Sequence, residues 1–129
     1  MKNFCLTEKD KTLDYKIEEL INITIRNGLL YNAIRYNNIK HKPINSHVIH
    51  SQYGEFINEV KSMPRAHLEY FASKLNQRFK FYANSYCKYS LTLQLKKADR
   101  ARELGEAIYT ALVHINRHLE HSKQPEMAM

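Results

Sequence analysis

The stretch SHVIHSQYGEFINEVKSMP, residues 46–64, decides the fold class. Ile49, Tyr53, Phe56, Ile57, Val60 and Met63 fall at i, i+4, i+7, i+8, i+11 and i+14, which is one face of a 3.6-residue period. Ser46 or Asn45 offers a side-chain oxygen to the first free N–H groups. Pro64 closes the segment, because proline disfavours helical geometry in the residue before it.

Reading outward toward the C-terminus, Pro64 also suits the first position of a new helix, with Ser62 or Met63 as its cap. Leu68, Ala72, Leu75, Phe79, Tyr82 and Tyr86 then form a stripe at steps of three or four, predicting a helix to about 85–88. Leu91-Thr92-Leu93-Gln94-Leu95 alternates and reads as a short strand. Beyond it Ala101, Leu104, Ile108, Leu112, Ile115 and Leu119 share one face of a last helix, capped by Asp99 or an earlier Ser/Thr. The tail from Ser122 is expected to fray.

Toward the N-terminus two readings stand. Leu13, Ile17, Leu20, Ile21 and Thr24 suit a helix ended by Gly28, with Leu29, Leu30, Ala33 and Ile34 on a second one. Alternatively Ile21, Ile23 and Ile25 alternate with polar residues, and Asn27-Gly28 is the preferred type I′ turn of a hairpin. The expected fold is a single all-α domain over 1–121, a bundle of four or five helices with 122–129 as tail. An α+β domain with a small hairpin at Asn27-Gly28 is the alternative.

Composition agrees with one compact domain. Of 129 residues 43% are hydrophobic, and only three are glycine and three proline, too few for a turn-rich β chain. No run reaches the ~18–20 apolar residues that span a bilayer. The opening MKNFCLTEKDK brings in Glu8 and Asp10 too early for a signal peptide. These features predict a cytoplasmic protein with no membrane partner. Cys5 and Cys87 lack metal-ligand spacing and are expected to be reduced thiols. The abundance of Asn, Lys, Ile and Tyr suggests an AT-rich gene, as in phages and mobile elements.

Charge is unevenly spread. Twenty Lys and Arg against thirteen Asp and Glu give +7. By segment the excess is 0 over 1–27, +2 over 28–63, +6 over 64–97 and −1 over 98–129. The basic segment holds Arg65, Lys74, Arg78, Lys80, Lys88, Lys96 and Lys97, with Tyr70, Phe81 and Tyr89 interleaved. Spaced cations suit a phosphate backbone, and flat aromatic faces suit unpaired bases. These ten residues are the candidate nucleic-acid contacts. No RRM, KH, zinc-finger or helix-turn-helix signature is present, so backbone or single-strand contact is expected over sequence reading. The plain alternative is a solvated helix face.

Other chemistry is sparse. His114, His118 and His121 sit at i, i+4 and i+7, and His47 and His50 at i and i+3, but no Glu-x-x-His accompanies them, so neither a metal nor another cofactor is expected. Arg35-Tyr-Asn-Asn-Ile-Lys-His41 resembles the Arg-x5-His motif of all-helical HEPN-type ribonucleases. The resemblance implies that Arg35 would bind a phosphate and His41 would move a proton. It spans seven residues and departs from the family at Tyr36, where Asn or Asp is usual. Tyr82, Tyr86 and Tyr109 read as core or interface positions, which makes a homo-oligomer plausible. The function expected from the sequence is a small non-enzymatic accessory protein binding nucleic acid or a nucleoprotein complex. The alternative is a protein-binding inhibitor, immunity or adaptor protein that meets an acidic surface.

Overall fold

A computed structural model describes residues 10–36 and 46–121, with side chains placed for 15–33 and 48–121. Four helices make up nearly all of it: α1 (Asp10–Tyr36), α2 (Ser46–Lys61), α3 (Arg65–Leu91) and α4 (Leu95–His121). The described residues contain no strand, so the all-α reading holds.

The α1 helix corrects both readings of the N-terminal region, because it runs through Gly28 without a break. A Cβ on Gly28 would lie 2.7 Å from the Ala107 carbonyl oxygen and 2.9 Å from the Ala107 Cβ. The glycine is there for close approach of α1 to α4, not for a turn. Ile17, Ile21, Thr24 and Ile25 line the buried face of α1. Thr24 loses no hydrogen bond on burial, since its Oγ1 donates to the Leu20 carbonyl at 2.7 Å.

The α2 stripe forms as expected, with Tyr53, Ile57, Val60 and Met63 buried and Phe56 packed against the core. Pro64 is the residue before α3 rather than its first turn, at φ −54° and ψ 145°, and its carbonyl accepts from the Leu68 N–H at 2.9 Å. In α4, Ala101, Ile108, Leu112 and Ile115 are buried, and Leu104 and Leu119 lie half-buried beside them. Asp99 does not cap this helix. It lies inside it and accepts from Arg102 at 2.7 Å.

The longest interface is between α3 and α4. They run antiparallel: Phe79 meets Tyr109, and Arg65 donates to the Leu119 carbonyl at 3.3 Å. The core centres on Phe71, Leu68, Leu75, Ile17, Ile21, Ile108 and Ile115. Burial of each such side chain stabilises the fold by ~1.5–3 kcal/mol. The α3 stripe is buried at Leu68, Ala72 and Leu75, half-buried at Phe79 and Tyr82, and exposed at Tyr86. Tyr109 is exposed too, so of the three tyrosines read as core or interface only Tyr82 is half-covered.

Candidate nucleic-acid interface

From Asn76 to Lys97 no residue is fully buried. Phe79 and Tyr82 still pack on the core, and beyond them the end of α3 and the start of α4 project from the bundle as a two-helix arm rooted at 76–82. Their junction explains its shape. The Gln94 N–H reaches the Tyr89 carbonyl at 2.8 Å and the Leu93 N–H reaches the Ser90 carbonyl at 3.1 Å. This pair of bonds is a Schellman closure, with Leu93 in the left-handed position at φ 62°. The stretch Leu91–Leu95 is thus the end of α3, a tight turn and the start of α4, which corrects the strand reading.

The arm has an electrostatic peculiarity. Residues 76–98 hold five cations (Arg78, Lys80, Lys88, Lys96 and Lys97) and no Asp or Glu. They account for five of the seven net charges of the chain. Lys80, Lys88, Lys96 and Lys97 are exposed, and none lies within ion-pair distance of a carboxylate among the described residues. Lys97 Nζ sits 5.7 Å from the Tyr89 ring centre. Phe81 is exposed and braced edge-on by Tyr82 at 5.4 Å.

The remaining candidates fall elsewhere. Arg65 begins α3 at its far end, paired with Glu69 at 3.1 Å. It is 23 residues from Lys88, about 35 Å along the helix, so one short ligand cannot span both. Tyr70 and Lys74 lie on the bundle portion of α3, with Lys74 Nζ 5.6 Å from the Tyr70 ring. Arg78, at the root of the arm, bonds Glu18 of α1 at 2.6 Å. Partial burial works against its charge, but hydrogen bonds to Glu18 and Tyr82, with the charges of both, together outweigh it and hold the guanidinium above its ordinary pKa. Arg78 therefore ties α1 to α3. Lys80, Phe81, Lys88, Tyr89, Lys96 and Lys97 all lie on the arm, with Lys97 against Tyr89, whereas Arg65, Tyr70 and Lys74 lie on the bundle portion of α3.

The other motifs supply no assembled site. His114 faces the edge of Tyr53, and His50 the edge of Tyr31. Among the described residues no three His, Cys, Asp or Glu side chains converge as a metal would need. The Arg35 side chain, His41 and His47 lie outside the described side chains. Cys87 is an exposed free thiol on the arm. Among the described residues no helix is long and apolar enough to cross a membrane.

The described residues define an all-α bundle of four helices with a basic arm that holds no Asp or Glu from 76 to 98. Comparison with family models, with curated proteins and with solved structures returned no match.

Proposed function

We propose that the protein is a non-enzymatic accessory factor of the cytoplasm that binds nucleic acid, free or within a nucleoprotein complex, along the α3–α4 arm. The observation that carries this reading is the acid-free run from 76 to 98, with four exposed lysines that no carboxylate among the described residues pairs with. Each lysine is available to replace a counterion on a phosphate, and release of those ions drives the association. Phe81 is exposed for a base to stack on. Contacts of this kind read the backbone, so little sequence preference is expected.

The test is fluorescence anisotropy with labelled mixed-sequence DNA and RNA single strands. Lys80, Lys88, Lys96 and Lys97 are changed together to Glu. Binding is expected to vanish while thermal stability stays nearly constant, since exposed charges contribute little to folding. Lys16→Glu with Lys61→Glu, on the bundle, should bind as wild type does. Equal binding by the arm variant would reject the arm as the contact. Equal competition by poly-glutamate and by nucleic acid would replace this reading with an acidic protein partner.

A further inference from the structure

We infer that the tip of the arm is a contact site for an anionic lipid surface. The leucines at the tip carry it, and it shares Lys88, Lys96 and Lys97 with the nucleic-acid reading. Leu91, Leu93 and Leu95 are 84%, 80% and 65% exposed. One exposed leucine is ordinary, but three in five residues at the end of a projecting arm form an apolar cap. The fold does not account for them. Leu93 occupies the left-handed position of the Schellman turn, where glycine is the usual residue because a Cβ there is strained. It is no part of the core and packs on none of it. Within the fold, this side chain has a cost and no return.

The charges around the cap select the occupant. Lys88 lies one helical turn before Leu91, and Lys96 and Lys97 follow Leu95 directly. Tyr89 sits at the same level beneath Lys97. By helical rise the backbone of Lys88 and Tyr89 lies about 3–4.5 Å behind Leu91, and that of Lys96 and Lys97 about 1.5–3 Å behind Leu95, so the leucines are at the turn and the cations ring it. A bilayer surface has the matching layers, with an acyl boundary reached at shallow depth, anionic phosphates above it and a headgroup zone that accepts tyrosine. A second copy fits poorly. Two such tips would oppose their lysine collars, and the three leucines expose roughly 400 Å², about half of one side of a standard protein interface. A nucleic-acid backbone suits the lysines but offers the leucines nothing apolar. The contact is with the surface only and departs from the sequence expectation of no membrane partner; no described helix is long and apolar enough to span a bilayer.

The experiment uses the full chain and vesicles of phosphatidylcholine with about 30 mol% phosphatidylserine, against pure phosphatidylcholine. The chain has no tryptophan, so Leu91→Trp places a single reporter at the tip. Its emission should shift to the blue with the anionic vesicles and stay unchanged with neutral ones. Wild type should co-sediment with the anionic vesicles. Leu91→Ser with Leu93→Ser and Leu95→Ser should lose roughly tenfold or more in partitioning, with single-strand DNA affinity unchanged. Leu93→Gly guards against misfolding: it relieves the backbone, so its melting temperature should rise while vesicle binding falls. Failure of wild type to co-sediment, or equal partitioning by the triple serine variant, would overturn the inference. Neither result bears on the anisotropy with single strands, so the two readings fail separately.

Discussion

Replacing Gly28 by alanine tests the crossing of α1 over α4, on which the bundle depends. In a helix interior the exchange ordinarily stabilises by about 1 kcal/mol, because glycine has more backbone freedom to lose. Here the new Cβ would stand 2.7 Å from the Ala107 carbonyl oxygen and 3.0 Å from its Cα. Both are backbone atoms, so relief requires the helices to separate. Overpacking costs ~1–3 kcal/mol, and against backbone atoms the cost is about 2–3 kcal/mol, so the net effect should be a loss of about 1–2 kcal/mol. At roughly 4 °C per kcal/mol for a domain of this size, the midpoint should fall by about 4–8 °C. Gly54→Ala is the control, since its Cβ would meet nothing within 4 Å; it should gain ~0.5–1 kcal/mol. Thermal melts followed at 222 nm measure both. Gly28→Asn separates the crossing from a hairpin, because a type I′ turn accepts asparagine whereas the crossing excludes it. Gly28→Ala at or above wild-type stability, or a tolerated Gly28→Asn, would refute the packing argument.

Three further outcomes are expected. Leu93→Gly should stabilise by about 1 kcal/mol, since it removes a Cβ from a left-handed position; a lower midpoint in urea would contradict the strained turn. Arg78→Ala should lower stability by no more than ~1 kcal/mol, given how exposed its Glu18 partner is, and should weaken single-strand binding less than Lys88→Ala does; anisotropy showing the reverse order would return Arg78 to the contact surface. Leu75→Ala, at a fully buried position, should cost ~2–5 kcal/mol in a chemical melt, and a loss under 1 kcal/mol would place the core elsewhere.

The α2 and α4 stripes were legible because their apolar positions repeat at helical spacing and the bundle covers them for most of their length. Gly28 misled because Asn27-Gly28 is a strong local turn signal, while its actual role depends on Ala107, a partner 79 residues away. The chemical stripe of α3 continues past Leu75 through Phe79, Tyr82 and Tyr86, yet burial stops there. How far α1 and α2 reach along α3 is a tertiary fact that periodicity does not carry. The turn at Thr92-Leu93-Gln94 has no Gly, Pro or Asn, so alternation prevailed and the leucine tip went unread. Charge counting did find the basic segment. The Arg65–Glu69 pair, at i and i+4, was readable in advance, whereas the Arg78–Glu18 pair joins separate helices and was not.

The central claim is that the arm's lysines bind a phosphate backbone, and the salt dependence of single-strand affinity tests it most directly. Four lysines on a single strand give an expected slope of about −3 for log K against log salt. Between 50 and 200 mM salt the affinity should therefore fall roughly fifty-fold. Saturable binding with that slope, flattening as Lys80, Lys88, Lys96 and Lys97 are removed in turn, is the result expected. No saturable binding at low salt, or affinity that does not change with salt, would contradict the account.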